Sequence, residues 1–298
     1  ATGQWENAIA IIDRLCESEE DSEKVAKFYY TIAVIYRDEL QIDDKAVEYF
    51  NKTLDENVGE LRAFEAIDRI LTASRDWPSL EQNYLRMIAR VKAENSPDFD
   101  DTMRLLWYGL GEIYRTRLNE WDNAINAFRK ASELSPNDEK LHNILSQLYI
   151  RMPDHAQDAI EEIRTIIDLQ GNHMTPEQEQ RNYRSLYYLY YSMGDYDKAW
   201  CISDITCARN IAMPDEVKHH DEAEDQLQGA VNRLMSDDVR NLLFHPTLSN
   251  DLNLLFVHYQ QYLRETFCFK LADEGIAKRK ANLPYNADQI FWRIFKIA

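Results

Sequence analysis

The sequence predicts an all-α protein built as a linear array of helical hairpins. Only eight glycines and eight prolines occur in 298 residues, too few for a turn-rich β-sandwich or for long disordered linkers. Apolar residues recur at intervals of three or four, which is the helical period. No segment rich in Gly, Ser or Pro divides the chain, so one elongated array is favoured over two separate domains.

Each predicted hairpin repeats a small or apolar residue near the start of its second helix. Four of these residues follow an aromatic residue by three positions: Ala8 after Trp5, Leu80 after Trp77, Ala124 after Trp121 and Ala199 after Tyr196. Ala46 and Ala159 occupy the same place without the aromatic residue. The six positions are 38, 34, 44, 35 and 40 residues apart, close to the unit of about 34 residues that is typical of stacked helix-turn-helix repeats.

One unit carries the pattern most completely. It reads Trp107, Leu110, Gly111 and Tyr114 in its first helix, then Ala124, Phe128, Ala131 and Pro136. This unit resembles the tetratricopeptide repeat, whose pattern is W-x2-L-G-x2-Y, then A-x3-F-x2-A, then P. Between Tyr114 and Ala124 there is one residue more than the pattern has, and we expect it in the turn at 118–120. We also expect Gly111, with Ala124 and Ala131, to let the two helices approach closely.

Four further units, which contain Tyr29, Phe64, His142 and Tyr183, match less fully. The resemblance therefore predicts an α-solenoid of five repeats over residues 24–210, wound as a right-handed superhelix. We expect residues 1–23 to be the second helix of an incomplete N-terminal repeat, and residues 211–298 to be a C-terminal helical cap or the start of a further domain. A chain that opens in mid-repeat without Met is expected to be a fragment or a processed chain.

Charge and cysteine content restrict the environment and the partners. The chain has 52 acidic and 34 basic residues and a net charge of -18, which disfavours nucleic acid and anionic membranes as partners. Four cysteines without a CxxC pair indicate a reducing compartment. Without a long apolar run, membrane insertion is not expected. We predict a cytoplasmic location, and the resemblance to long repeat proteins of bacteria suggests a bacterial source.

The sequence lacks the specific motifs of four common catalytic or metal sites. A GxxxxGK[ST] phosphate loop, a GxSxG elbow, an HExxH helix and paired zinc-type cysteines are all missing from the sequence. We therefore predict a chain that is not an enzyme and holds no cofactor and no metal.

The resemblance implies which residues form a binding groove. In the family, the first helix of each hairpin lines the concave face, and the second, fifth, ninth, twelfth and thirteenth positions point into it. Nine of the corresponding 25 residues are Lys or Arg and three are Asp or Glu, a formal charge of +6, whereas the other 273 residues carry -24. The candidate site residues are Lys27, Tyr30, Arg37, Arg62, Arg69, Tyr108, Arg115, Lys140, Asn143, Arg151, Arg181, Arg184, Tyr188 and Tyr191.

A cationic groove with tyrosines predicts a protein-interaction scaffold that binds an extended, acidic segment of another protein. The pattern leaves open that some tyrosines pack in the core and that some arginines pair with acids of the next helix. One alternative function is a regulatory sensor for a small ligand or peptide signal, with a closed pocket near Arg184 and Tyr188. Another is an accessory region of a larger enzyme. The sequence does not predict the oligomeric state.

Overall fold

The structure, a computed structural model, describes residues 2–94, 100–170, 174–194, 199, 202–203, 206–207, 210–218 and 220. These residues form helices and turns and contain no β-strand, so the predicted all-α solenoid class is confirmed. The chain divides into two compact units, residues 1–141 and 142–298, and each is described by itself. The predicted cap at 211–298 falls almost wholly outside the described residues, so the domain boundaries and the superhelix stay predictions.

The first unit contains seven helices and the start of an eighth among its described residues. They are α1 (Thr2–Ser18), α2 (Ser22–Val34), α3 (Asp43–Glu56), α4 (Leu61–Ser74), α5 (Trp77–Glu94), α6 (Asp100–Ile113) and α7 (Trp121–Leu134). A π-helical turn extends α2 over Ile35–Leu40 and another extends α6 over Tyr114–Leu118. The eighth helix, α8 (Glu139–Ile150), continues into the second unit, which also holds a 3₁₀ turn (Pro153–His155), α9 (Ala156–Gln170) and α10 (Pro176–Ser192).

Local signals in the sequence explain where several helices begin. Asp21 precedes α2, and its carboxylate accepts the backbone N–H of Glu23 at 3.0 Å. Thr175 and Gln178 form a reciprocal capping box at the start of α10, where Pro176 takes the first helical position. Both arrangements satisfy N–H groups that have no partner within the helix.

Consecutive helices of the first unit pack as antiparallel hairpins. Helix α2 packs on α3, α4 on α5 and α6 on α7, while α3 packs on α4 and α5 on α6. The repeated small residues lie in these contacts: Ala46 and Ala124 are fully buried and Leu80 nearly so. Ala159 and Ala199 are fully buried in the second unit. Five of the six predicted repeat positions are thus core positions, whereas Ala8 on α1 is only partly buried.

Glycine at position 111 permits close helix packing, as predicted. A Cβ atom added there would lie 2.8–2.9 Å from three carbons of the Phe128 ring, which is shorter than carbon–carbon contact distance. Phe128 is fully buried on α7. Three ring pairs, each twenty residues apart in sequence, join the helices within the hairpins edge-to-face: Tyr30–Phe50, Phe64–Tyr84 and Tyr108–Phe128, with centroids 5.4, 5.0 and 5.7 Å apart.

The extra residue of the best repeat lies in the first helix, so its predicted place in the turn at 118–120 was wrong. The segment Tyr114–Leu118 winds as a π-helical turn, and the Glu120 N–H donates to the Tyr114 carbonyl at 2.9 Å. The α4–α5 hairpin lacks the extra residue, and there the corresponding bond, from the Asp76 N–H to the Leu71 carbonyl, spans five residues and not six. A π turn absorbs one residue without moving the helices on either side.

Side-chain hydrogen bonds add polar links between neighbouring helices. The Tyr49 hydroxyl donates to Asp13 at 2.9 Å. Burial, and then this bond to a carboxylate, raises the pKa of the Tyr49 phenol above its ordinary value. Arg90 on α5 donates through Nε and Nη2 to Asp55 on α3, at 2.9 and 2.6 Å. These links fix the register of adjacent hairpins.

Candidate functional site

The fourteen candidate residues lie on first helices of hairpins or at their ends, and none of them is buried. Six belong to the second unit: Asn143, Arg151, Arg181, Arg184, Tyr188 and Tyr191. The other eight belong to the first unit, and we call them the first-helix face: Lys27, Tyr30, Arg37, Arg62, Arg69, Tyr108, Arg115 and Lys140. Because all eight reach solvent, they are available to a partner.

A direct contact joins α2 and α4 on the first-helix face. The guanidinium carbon of Arg62 lies 5.4 Å from the centre of the Tyr30 ring, in a cation–π arrangement. The Tyr30 ring is half-buried because its edge packs against Phe50. Tyr108 on α6 is held in the same way by Phe128. Both phenols are therefore fixed in place by the core while part of each ring reaches the surface.

Three arginines of the first-helix face already hold an acid of the same chain through two hydrogen bonds each. Arg37 donates to Asp38 at 2.7 and 2.8 Å. Arg62 donates to Glu60 at 2.7 and 3.1 Å. Arg115 donates to Glu112 at 3.3 and 2.7 Å.

The fourth arginine of the face is paired more loosely. Arg69 donates to Glu65 once, at 3.4 Å. All four arginines therefore pair with acids, but the predicted place of these acids on the next helix was wrong, because each acid lies within four residues of its arginine. Glu60 was not identified from the sequence as part of the site, because Glu60 precedes α4 and is not one of the five groove positions of its repeat.

The two lysines of the first-helix face differ from the arginines. Lys27 and Lys140 are exposed and form no ion pair with any acid that the structure describes. Lys27 precedes Tyr30 by three residues on α2, so both project from one side of the helix. Lys27 thus adds, beside the Tyr30–Arg62 pair, an ammonium that is not paired with any carboxylate the structure describes.

In the second unit, Arg184 and Tyr188 form a polar cluster with Asp215. The Arg184 guanidinium donates to the Tyr188 hydroxyl at 3.0 Å and lies 3.8 Å from the Asp215 carboxylate. The Tyr188 hydroxyl donates to Asp215, and this bond lowers the pKa of that carboxyl. Tyr188 and Tyr191 are both exposed, whereas a small-ligand site buries most of its ligand. This part of α10 therefore gives the sensor alternative no support.

The residues that the structure describes contain neither a metal-type cluster nor a membrane-spanning helix. Within them, no group of three or more His, Cys, Asp or Glu side chains is arranged to hold a metal ion. None of their helices combines the length and the apolar character that crossing a membrane requires.

Comparisons with known proteins place the repeat in a family. The tetratricopeptide repeat model matches residues 106–141, and none of the curated proteins compared matches the chain. Among solved structures, a chain of Naa15/Naa10 bound to HypK-THB is 17% identical, covering 85% of this chain and 35% of its own, with a TM-score of 0.45. MamA is 15% identical, covering 57% and 90%, with a TM-score of 0.34. Pseudomonas aeruginosa PilF is 14% identical, covering 76% and 91%, with a TM-score of 0.34. Residues 106–141 are thus a tetratricopeptide repeat, and they lie within an array of helical hairpins that share its core positions.

Proposed function

We propose that this chain is a protein-interaction scaffold and that the first-helix face binds an extended, acidic segment of another protein. Tetratricopeptide repeat proteins bind other proteins, and the family fold is in general a non-catalytic module. The observation that carries the proposal is the contact between Arg62 and Tyr30, because it makes one surface of cations and phenols from two successive hairpins.

The composition of this face suits a peptide with carboxylates. Six of its eight residues are Lys or Arg, and arginine forks and lysine ammoniums both bind carboxylates. Tyr30 and Tyr108 supply rigid aromatic surface that loses little conformational entropy on binding. The net charge of -18 would repel an acidic partner from most of the remaining surface. An acidic segment would therefore be directed to this face.

Fluorescence anisotropy with a labelled peptide of alternating Glu and Ser residues tests the proposal. The double variant Arg62→Glu, Arg69→Glu is expected to weaken binding by about tenfold or more, because it replaces two attractive charges by repulsive ones. Arg86→Glu, Lys92→Glu is the matched control, since both residues are exposed on α5 and make the same change in net charge. A Lys–Ser peptide of equal length should not bind the face.

Two results would count against this function. Equal weakening by both double variants would mean that only net charge matters and that the face has no special role. Absence of binding to the Glu–Ser peptide at low ionic strength would contradict the proposed acidic partner, because electrostatic attraction is strongest there.

A further inference from the structure

The acids that pair with arginines on the first-helix face occupy the atoms that would bind a partner. Arg37, Arg62 and Arg115 each use Nε and Nη2 to hold both oxygens of one carboxylate. This two-pronged geometry is also the one in which arginine binds an incoming carboxylate most strongly. A partner can reach the same nitrogen atoms only after it has displaced the carboxylate of the chain itself.

We propose that Asp38, Glu60 and Glu112 are internal competitors that set the affinity and the specificity of this face. This inference rests on the proposed function, since competition matters only where an acidic segment binds. The three acids make the face selective for a segment that presents several carboxylates in a run. An isolated carboxylate gains little there, because it replaces one carboxylate–guanidinium pair by another of the same kind.

Local geometry favours the internal acids over a single external one. Asp38 follows Arg37 directly, Glu60 precedes Arg62 by two residues, and Glu112 precedes Arg115 by three. A carboxylate tethered so closely has a high effective concentration at its arginine. A peptide with several carboxylates has the same advantage once its first group is bound. Lys27 and Lys140, which have no acid partner among the described residues, offer that first contact.

The internal pairs are weak enough to exchange. The side chains of Arg62 and Arg115 are 72% and 39% exposed, and those of Glu60 and Glu112 are 16% and 30% exposed. Ion pairs open to solvent contribute little stability, because water solvates the separated charges almost as well. Neutralising an internal acid should therefore leave the fold intact while it releases the arginine.

The test uses the labelled Glu–Ser peptide and a second peptide of equal length with a single Glu. Glu60→Gln and Glu112→Gln, alone and together, are compared with Glu48→Gln. Glu48 is a matched control because it pairs with Lys45 and Lys52 on α3, so its change in charge is the same but frees no residue of the face. Circular dichroism and urea unfolding check that all variants remain folded.

Each change at Glu60 or Glu112 is expected to tighten binding of the Glu–Ser peptide by about two- to fivefold, and Glu48→Gln by less than about twofold. The double variant should increase the affinity for the single-Glu peptide by a larger factor than the affinity for the Glu–Ser peptide. The ratio of the two affinities should therefore become smaller than in the wild type. If the wild type binds the Glu–Ser peptide and the changes at Glu60 and Glu112 raise the affinity no more than Glu48→Gln does, the proposed internal competition is wrong. The proposed function would not be affected by that result. If no variant binds either peptide, the proposed function itself fails.

Discussion

Replacing Gly111 by alanine is expected to lower the free energy of unfolding by about 1 kcal/mol, although alanine is the better helix former. An added Cβ would lie 2.8–2.9 Å from three carbons of the Phe128 ring, whereas carbon atoms in contact are about 3.5–4.0 Å apart. The ring is fully buried and also carries the edge contact with Tyr108. It cannot move aside without disturbing the hairpin, and such overpacking costs about 1–3 kcal/mol.

The higher helix propensity of alanine opposes this steric cost. Alanine is more favourable than glycine in a helix interior by about 1 kcal/mol, so the clash should outweigh the gain. Urea unfolding followed by circular dichroism measures the difference. Gly3→Ala is the control, because nothing lies within 4 Å of its added Cβ, and it should not destabilise. In a Phe128→Leu background the cost of Gly111→Ala should disappear. A Gly111→Ala variant as stable as the wild type would refute the reasoning.

Three further predictions concern stability and are measured by urea unfolding. Asn83 is buried and, within the part of the chain that the structure describes, neither polar atom of its amide has a hydrogen-bond partner, so Asn83→Ala should be neutral or stabilise by up to about 1 kcal/mol. Leu80→Ala, by contrast, should cost about 2–4 kcal/mol, and a large loss for Asn83→Ala would contradict the prediction. Arg90 is largely buried and donates to Asn51 as well as to the exposed Asp55, so Arg90→Ala should cost about 1–2 kcal/mol through lost packing and hydrogen bonds, and a loss no larger than that of a surface substitution would show that the link is not needed. Because burial raises the pKa of the Tyr49 phenol, its contribution is complete below about pH 10 and is lost above it, at about 1.4 kcal/mol per pH unit. Burial raises the pKa of the Tyr84 and Tyr114 phenols as well, so Tyr49→Phe should lower the slope of stability against pH by about this amount without abolishing it, and an unchanged slope would contradict the prediction.

The buried side of the hairpins could be predicted from the sequence because two independent constraints act on the same residues. Gly111 must be small for the helices to approach, and Phe128 must be large to fill the space that this leaves. Each requirement restricts the residue type, so the pattern can be seen in one sequence. Ala46, Ala124 and Ala159, all fully buried, were found on the same basis.

The π turns could not be predicted because their cause is a residue count and not a residue type. Tyr114 and Ala124 keep their core positions whether the extra residue lengthens the loop or widens the last helical turn. The same count separates Tyr36 from Ala46, and there too a π turn ends the first helix. Asn119 and Gln41, which follow the two turns, have φ values of 56° and 55°, in the left-handed region. A polar residue can adopt this conformation, but its type alone does not reveal it.

The candidate face shows why counting charges overestimates the cations that a partner can use. The formal charge of +6 treats every arginine as available, yet the four arginines of the first-helix face are paired with acids one to four residues away. Sequence proximity alone would not correct the count, since Glu23 precedes Lys27 by four residues and, within the described residues, the two form no ion pair. Lys45 does pair with Glu48 at a similar spacing, so neither sequence distance nor residue type alone decides whether a pair forms. A planar guanidinium fits a carboxylate through two parallel hydrogen bonds, whereas an ammonium is a compact, strongly hydrated charge that gains less from any one partner. In the binding that we propose, the lysines would provide the first contact for an acidic segment, and the arginines would bind it only as their own carboxylates are displaced.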